Sequence, residues 1–519
     1  MKERSRTNYS VLNILTGLGG YIISVLLGFA SRIVFVRFLP DEYLGISGLF
    51  TSILSVLSLA ELGIGTAIVY ALYKPLAEKD VNAISSLVHY FGRAYRIIGL
   101  IIAVAGLALL PFLHYIVNDP PSVSEDLRIL YLFYLFNTAF SYFFSYRISL
   151  ITAAQKNYIV VGLNYAVIII QTLLQILVLS TTKSFIYFLL VQFACTMVYN
   201  IVTSLISKRM FPYTTNKNKN PLDAGTKQSL IKNIRALVIT KFAGIVVNNV
   251  NNILVTFYNG LSVTGYVSNY SLLVSTLNSF LSQIFSNLTA SVGNHNVKES
   301  IESRRNLFDF INLTNFWLFG WGAIGITLLS SDIISFLFGD QFVLEPLFPI
   351  VLAINFYMVG MQNAVWTYRN TLGLFRQGRY LLFLTAAINL LLSILLGQAW
   401  GIVGIFSASI FSRLITNIWY DPYVVFKYGL KSSFLSYCKR YFIFSFLLLL
   451  TTAFCIVIFS FITFDKPFNL FFKLFVCLLF PHFVFWLFLR NKEEYKFLLT
   501  IVKRILHMIS RKTLHKLKK

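Results

Sequence analysis

Long apolar stretches alternate with short polar breaks along the whole chain. About 20 apolar residues in an α-helix are enough to cross the hydrocarbon core of a bilayer. The pattern predicts fourteen transmembrane helices, an even number that places both chain ends on one side of the membrane. The predicted spans are residues 11–36, 44–72, 86–113, 127–152, 158–180, 183–206, 233–258, 265–290, 306–330, 346–371, 378–397, 401–420, 441–463 and 468–490.

Composition supports an all-α integral membrane protein. Hydrophobic residues make up 57% of the chain and charged residues only 12%, with a mean hydropathy of +0.71. Soluble domains are about 45–50% apolar and about 25% charged. The basic start of the chain leads into an apolar stretch of spanning length, which we interpret as the first helix rather than a cleaved signal.

The positions of the basic residues test this map. The formal net charge of +24 could suggest nucleic-acid binding. With the N-terminus in the cytoplasm, however, all but six of the 44 lysines and arginines fall on the cytoplasmic side, as the positive-inside rule requires. The charge therefore reflects topology, and nucleic acid is excluded as a partner. The six outer residues are Arg32, Arg37, Arg128, Lys183, Lys466 and Lys473.

The connecting segments are too short to form a soluble catalytic domain. The longest inner connection is polar and basic, and the tail mixes apolar with basic residues. Such a tail is typical of an interfacial helix on anionic membrane lipid, although a solvated basic tail is an equally open interpretation. The six histidines and four cysteines show no metal-ligand spacing. We therefore predict no metal, no cofactor, no catalytic residue and no enzymatic activity.

An internal repeat organises the map. Tyr146-Arg147-x-x-Leu-x4-Gln-x-x-Tyr recurs as Tyr368-Arg369-x-x-Leu-x4-Gln-x-x-Tyr, shifted by 222 residues, and a shift of 220 places Gly45 on Gly265. Six spans separate the copies, which predicts two parallel six-helix repeats in a V-shaped bundle, plus two C-terminal helices. The predicted parts are residues 1–206, a linker at 207–232, then 233–430, 431–490 and a tail at 491–519.

Two ionisable residues fall inside predicted spans, where charge is costly and usually faces a cavity. Glu61 lies in the second span and Lys241 in the seventh, each roughly 12–18 Å from the inner surface at about 1.5 Å per residue. Glu61 is a candidate ion-coupling residue, and Lys241 is a candidate for substrate binding. A local pair or a protonated acid remains open for Glu61, and a lysine extending to the cytoplasm remains open for Lys241.

Further candidates for substrate binding lie in the first and seventh spans. Arg32 and Arg37 could hold a phosphate through bidentate guanidinium contacts, or could simply mark the outer interface. Amides at Asn248, Asn249, Asn251 and Asn252 suit a hydrated wall that binds sugar hydroxyls, or alternatively hydrogen bonding between helices. We interpret the two Tyr-Arg pairs as structural, with each arginine at the C-terminal end of its helix.

The run Arg37-Phe-Leu-Pro-Asp-Glu-Tyr-Leu-Gly45, then Ala60-Glu-Leu-Gly-Ile-Gly65 and Tyr73-Lys-Pro-Leu-Ala-Glu-Lys79, resembles polysaccharide flippases of the Wzx type. These belong to the superfamily of multidrug/oligosaccharidyl-lipid/polysaccharide exporters, which also includes lipid II flippases. The chain departs from the usual pattern at Pro40, where the family more often has glycine.

The resemblance implies a carrier that turns an undecaprenyl-pyrophosphate-linked oligosaccharide from the inner to the outer leaflet of the bacterial cytoplasmic membrane, by alternating access, for capsule or exopolysaccharide assembly. It implies a cationic cavity lined by the first, second, seventh and eighth helices. Coupling to a proton or sodium gradient and contact with the polysaccharide polymerase machinery are further expectations. The alternatives are a small-molecule or drug exporter, a polytopic polymerase or ligase, and a structural scaffold.

Overall fold

The computed structural model describes residues 6–61, 64–117, 123–215, 222, 224–374, 377–378, 380–462, 464–465 and 468–496. Within these ranges it leaves out the side chains of residues 6–18, 59–60, 66, 224, 226, 229, 232–233, 235–248, 284, 286–291, 294 and 297–298. Lys241, Asn248 and most of the predicted tail therefore lie outside the described side chains.

The described chain consists almost entirely of helices. They are α1 (Arg6–Phe38), α2 (Glu42–Leu57), α3 (Ile64–Glu78), α4 (Val81–Leu109), α5 (Leu113–Ile116), α6 (Leu127–Ala153), α7 (Asn157–Thr182), α8 (Phe185–Met210), α9 (Ala224–Lys298), α10 (Ile301–Phe338), α11 (Leu347–Thr371), α12 (Leu381–Ile415), α13 (Asn417–Val424), α14 (Phe434–Phe461) and α15 (Phe468–Leu489).

Each predicted span corresponds to a helix, to half of a bent helix or, for the second span, to a pair of helices. The two bent helices break at glycines with positive φ, Gly260 (φ 85°) in α9 and Gly401 (φ 56°) in α12, a conformation that costs glycine little. Among the described residues, ten helical stretches are long and apolar enough to cross a membrane. The predicted all-α, multi-pass fold class is confirmed.

The second predicted span is not one continuous helix, and in this respect the expectation from the apolar pattern is wrong. α2 ends at Leu57, a 3-10 turn covers Ser58–Glu61, and α3 begins at Ile64. The apolar stretch runs on through this break apart from Ser58, Glu61 and two glycines, Gly63 and Gly65, so its length alone predicts one span. The break places Glu61 at an interruption between two helices rather than on a regular helix face.

The chain divides into two compact units, Met1–Ser268 and Asn269–Lys519. In the first unit α1 packs along α7, α4 along α6, and α6 and α7 each along α8. Gly20 of α1 lies directly under the ring of Tyr165, where an added methyl group would overlap the ring. At this position a small residue allows close packing of α1 on α7.

Two glycines related by the 220-residue repeat meet in the first unit. A methyl group on Gly45 would overlap the carbonyl oxygen of Leu261, and one on Gly265 would lie 2.9 Å from that of Asp41. Leu261 is itself 220 residues after Asp41. The contacts are therefore reciprocal, as they are wherever a two-fold axis relates equivalent segments. The start of α2 and the part of α9 just after Gly260 cross backbone to backbone at this point.

The second unit contains the two helices that follow the repeat. Proline has no N–H group, so Pro481 of α15 leaves the carbonyl oxygen of Cys477, one turn earlier, without its helical donor. The indole N–H of Trp321 on α10 donates to that oxygen at 2.9 Å. One turn away, the indole of Trp317 donates to Nδ1 of His482 at 2.8 Å. Helix α15 is thus fixed to α10 by two indole hydrogen bonds.

Candidate functional site

One face of α2 forms a polar strip inside the first unit. Gly48 and Ser52 lie on this face, and the hydroxyl group of Ser52 donates to the carbonyl oxygen of Gly48 at 2.8 Å. The side-chain amide of Asn252 donates to the hydroxyl oxygen of Ser52 at 3.0 Å. Because Gly48 has no side chain, Thr264 and Ser268 of α9 can approach α2 closely. The amide-rich segment of α9 therefore packs on α2 through polar contacts.

Arg32 joins one end of this strip. It is half-buried on α1, and its guanidinium donates to the hydroxyl oxygen of Ser268. Ser268 in turn donates to the carbonyl oxygen of Gly265 at 2.7 Å. The hydroxyl of Tyr134 on α6 lies within electrostatic range of the guanidinium and donates to Ser47 at 2.8 Å. Side chains from α1, α2, α6 and α9 thus converge around one arginine.

This arrangement suits an anion more than a neutral apolar molecule. A guanidinium offers five N–H donors in a planar fork, and it remains charged even in apolar surroundings. Serine and tyrosine hydroxyls around it can rotate to donate to the same acceptor. A phosphate group close to Arg32 would therefore interact with the positive charge of the guanidinium and accept hydrogen bonds from several hydroxyl groups that can rotate.

The other residues predicted to bind substrate have different surroundings. Arg37 is exposed in the last turn of α1, and Asn249 is half-buried. Asn251 is buried, with 6% of its surface exposed, and its amide oxygen has no hydrogen-bond partner in the described part of the chain. Lys241 and Asn248 have side chains outside the described residues. Of the predicted set, Arg32 and Asn252 are brought to the two ends of the α2 strip.

Glu61 lies in a separate cluster of aromatic hydroxyls. The hydroxyl of Tyr95 on α4 donates to its carboxylate at 3.0 Å, and a side-chain hydrogen bond links it to Tyr142 on α6. Gly65 leaves space for this contact, since a methyl group there would lie 3.2 Å from the Tyr95 hydroxyl. Tyr142 is eight residues from Tyr134, so the tyrosine beside the acid and the tyrosine near Arg32 are about 12 Å apart along the axis of α6.

Sequence reasoning missed the residues that complete these two sites. Ser52 and Ser268, and the tyrosines Tyr95, Tyr134 and Tyr142, were not singled out. The spacing of Gly45, Gly48 and Ser52, at i, i+3 and i+7, is a signal that could have indicated a close polar helix face. The tyrosines carry no such signal, because the chain has 29 of them and no motif distinguishes these three.

No group of three or more histidine, cysteine, aspartate or glutamate side chains that could hold a metal ion occurs among the residues that the structure describes.

Comparisons with known proteins agree on the fold. No protein-family model matches the chain, and neither does any curated protein sequence. Solved structures do match. The lipid II flippase MurJ, in an inward closed conformation, aligns with a TM-score of 0.62 and 16% identity over 92% of this chain and 99% of its own.

Multidrug transporters align as well. An inward-facing MATE family transporter of the MOP superfamily gives a TM-score of 0.58 with 12% identity, covering 79% of this chain and 95% of its own. A point mutant of the Vibrio cholerae MATE transporter VcmN gives 0.50 with 14% identity, covering 82% and 99%. The chain is a multi-pass membrane protein with the fold of the MATE and MurJ transporters.

Proposed function

We propose that the protein flips undecaprenyl-pyrophosphate-linked oligosaccharides from the inner to the outer leaflet of a bacterial cytoplasmic membrane, by alternating access. The resemblance of residues 30–80 to Wzx-type flippases supports this proposal. So does the fold, which is similar to that of a lipid II flippase over nearly the whole chain. The product would serve the assembly of a surface polysaccharide, next to the polymerase machinery.

The observation that carries the proposal is the surroundings of Arg32. Moving a pyrophosphate out of water is prohibitively costly unless charged and hydrogen-bonding groups replace its hydration. A half-buried guanidinium among the hydroxyls of Ser268, Ser47 and Tyr134 provides such replacement. The lipid tail of the substrate would stay in the bilayer while only the head group entered the protein.

The remaining residues of the proposed substrate site follow from the same chemistry. Arg37 and Lys241 would add positive charge for the pyrophosphate. Asn248, Asn249 and Asn252 would hydrogen-bond sugar hydroxyls. The contact of Asn252 with Ser52 supports this role, because it directs that side chain of α9 toward polar groups rather than lipid.

We further propose that Glu61 couples transport to a proton or sodium gradient. A carboxylate held by two tyrosine hydroxyls can gain or lose a proton or a cation when the tyrosines move, because each hydrogen bond favours the charged form. Flipping by a Glu61→Gln variant should then lose its dependence on the gradient. If that variant flips substrate as fast as the wild type with an unchanged pH dependence, this coupling role is wrong.

A second candidate function is export of small organic cations. The same Glu61 cluster favours it, since an acid among the aromatic side chains of Tyr95 and Tyr142 can bind a cationic molecule. The similarity to a multidrug transporter agrees with this alternative. It leaves Arg32 without a role in binding, because a guanidinium repels a cationic substrate.

One transport experiment separates the two functions. Purified protein is reconstituted into proteoliposomes with a fluorescent undecaprenyl-pyrophosphate oligosaccharide, and a membrane-impermeant reagent reports its arrival in the opposite leaflet. Wild-type protein should accelerate the transfer, and Arg32→Ala should reduce the rate at least about tenfold, the effect of losing about 1.4 kcal/mol of anion binding. Lys241→Ala should reduce it severalfold.

The control is Arg128→Ala, because Arg128 is an exposed arginine at the start of α6 on the same predicted side of the membrane. It should transport at the wild-type rate. If the wild type moves no lipid-linked sugar but does move an organic cation, the exporter function replaces the flippase function. If Arg128→Ala falls as far as Arg32→Ala, the arginines act only as interface anchors.

A further inference from the structure

An apolar groove lies in the second unit, where α9, α10 and α15 border one another. Its volume is about 210 Å³. The longest wall is a stripe of α10 residues at helical spacing, and single turns of the other two helices complete the groove. Leu273 and Leu277 come from α9, Leu474 and Leu478 from α15, and the α10 stripe runs from Trp321 to Ile333.

The wall of this groove offers few hydrogen bonds to water. The hydroxyl group of Ser330 donates to the carbonyl oxygen of Ile326 at 2.6 Å, and the indole N–H of Trp321 donates to that of Cys477 at 2.9 Å. Both donors are therefore already bonded within the protein. An apolar cavity of about 150 Å³ stays dry and takes up apolar molecules instead. The groove accordingly fits hydrocarbon rather than water.

Gly325 keeps space open in the groove. Apart from its own helix backbone and chain neighbours, no atom in the described part of the chain lies within 4 Å of the position that a methyl group would take on this residue. Gly322, three residues earlier, differs, because a methyl group there would lie 2.7 Å from the ring of Phe356. Gly322 therefore serves close helix packing. Close packing does not account for Gly325, whose missing side chain leaves room for a ligand.

The groove is about as long as the hydrocarbon layer of one leaflet. From Trp321 to Ile333, α10 advances by about 18 Å at about 1.5 Å per residue. The hydrocarbon core of a bilayer is about 30 Å thick, so each leaflet contributes about 15 Å. Both α10 and α15 are long and apolar enough to cross a membrane. A lipid chain in one leaflet could therefore lie along the groove for most of that depth.

An ion pair lies at one end of the groove. Asp332 directly precedes Ile333, and Lys473 directly precedes Leu474. The Nζ atom of Lys473 lies 2.6 Å from the carboxylate of Asp332, and the two side chains are 20% and 37% exposed. One positive and one negative group are thus partly accessible side by side, where the head group of a lipid in the groove would lie.

We propose that the groove binds an acyl chain of a phospholipid whose head group carries both a phosphate and a primary ammonium group, as in phosphatidylethanolamine. The phosphate would lie next to Lys473 and the ammonium group next to Asp332, so that neighbouring charges have opposite signs. An anionic phospholipid provides no positive charge for Asp332, and that carboxylate would repel its phosphate.

The bound chain would add to the contact between α10 and α15. It would cover Leu474 and Leu478, which are exposed in the protein alone, and fill the space beside Gly325. The groove contains neither Glu61 nor any residue proposed to bind substrate. This lipid site therefore does not depend on the proposed function.

The test counts the lipids bound to purified full-length protein by native mass spectrometry from detergent. The protein receives equal amounts of phosphatidylethanolamine and phosphatidylglycerol with the same acyl chains. The wild type should retain phosphatidylethanolamine severalfold more than phosphatidylglycerol. Asp332→Asn should reverse this preference, because Lys473 would then carry an unopposed positive charge. Gly325→Leu should weaken phosphatidylethanolamine binding at least about tenfold, the effect of excluding about two methylene groups from the groove.

Gly162→Leu is the matched control, because Gly162 of α7 also has open space at its methyl position but lies outside the groove. Its lipid binding should equal that of the wild type. Asp332→Asn keeps the test valid if Gly325→Leu fails to fold, since asparagine has nearly the shape of aspartate.

Three outcomes would overturn the proposal. Equal retention of the two lipids by the wild type, or an unchanged preference in Asp332→Asn, would mean that the ion pair does not recognise the head group. Wild-type retention by Gly325→Leu would place the lipid elsewhere on the protein. Displacement of phosphatidylethanolamine by an equal concentration of undecaprenyl phosphate would identify an isoprenoid chain as the occupant instead.

Discussion

The two Tyr-Arg motifs have the same spacing in sequence but different surroundings in the structure. In the second unit, Arg369 is ion-paired with Asp421 and donates to the carbonyl oxygens of Leu374 and Gln377. Asp421 is only 1% exposed and also accepts a hydrogen bond from the indole of Trp366 at 3.3 Å. This arginine is the centre of a buried network of hydrogen bonds.

In the first unit, Arg147 has no such network among the described residues. Its Nε donates to the hydroxyl of Tyr146 at 3.0 Å, and its guanidinium carbon lies 5.1 Å from the centre of that ring. Its Nη1 atom is buried with no hydrogen-bond partner in the part of the chain that the structure describes. The residue 222 positions before Asp421 is Tyr199, so the sequence supplies no carboxylate at the equivalent place.

The comparison shows that a local motif does not fix what an arginine contributes. Arg369 lies in the last turn of α11 as predicted, whereas Arg147 lies six residues before the end of α6, so the prediction that it lies at a helix end is wrong. The stabilising partner of Arg369 is Asp421, which belongs to a different helix, α13. The described part of the first unit provides no such partner for Arg147. The glycine crossing at Gly45 and Gly265 behaves in the opposite way, since there the two copies keep reciprocal contacts.

The largest effect should come from removing the arginine of the second unit. Arg369→Leu leaves the buried carboxylate of Asp421 without its ion partner, which typically costs about 3–5 kcal/mol. The measurement is the free energy of unfolding in detergent, from denaturant titration of purified protein. A loss below about 1 kcal/mol would show that the Arg369–Asp421 pair is not a stabilising element.

The next effect tests the place where the two copies agree. Gly45→Ala puts a methyl group against the carbonyl oxygen of Leu261 and should cost about 1–3 kcal/mol, the usual cost of overpacking. Gly48→Ala is the control, since its methyl group would meet only side-chain atoms, 3.6 Å or more away. Equal unfolding midpoints for the two variants would contradict the backbone crossing.

A smaller effect is expected when both partners of the ion pair are removed together. Arg369→Leu combined with Asp421→Leu eliminates the isolated charge and should cost only about 1–2 kcal/mol, mainly from the unpaired Trp366 indole. Comparison with both single variants in a double-mutant cycle gives the coupling energy. Additive losses would mean that the two side chains do not interact.

The smallest effect should come from the arginine of the first unit. Arg147→Leu removes a hydrogen bond and a cation–π contact, but it also removes a buried nitrogen that has no partner among the described residues. These effects oppose each other, so the free energy of unfolding should change by less than about 1 kcal/mol. A loss as large as that of Arg369→Leu would show that Arg147 has a strong partner that its described surroundings do not reveal.

Much of the fold follows from the sequence because the bilayer acts as the solvent. Lipid requires every backbone polar group of a span to bond within its own helix, so apolar length alone indicates the helices. Fourteen apolar stretches therefore predict the observed helices with few errors. The break between α2 and α3 is the main error, since hydropathy contains no information about a 3-10 turn within an apolar stretch.

The candidate sites could be predicted only in part. Intramembrane charge singles out Arg32 and Glu61, because burying an ionisable group in lipid is costly enough to indicate a function from sequence alone. Their hydrogen-bond partners, Ser268 for Arg32 and Tyr95 for Glu61, come from other helices. Nothing in the sequence near these partners indicates which residue they contact.

Local composition and periodicity are enough to predict the helices, their membrane-spanning lengths and the repeat spacing of 220 to 222 residues. Only the packing of the helices shows that Gly45 meets Leu261, that Arg369 rather than Arg147 is paired with a carboxylate, and that Leu277, Gly325 and Leu478 line one groove. The physical reason is range. Hydropathy acts along a segment, whereas hydrogen bonds and ion pairs act over a few ångströms, so their partners depend on which helices lie side by side.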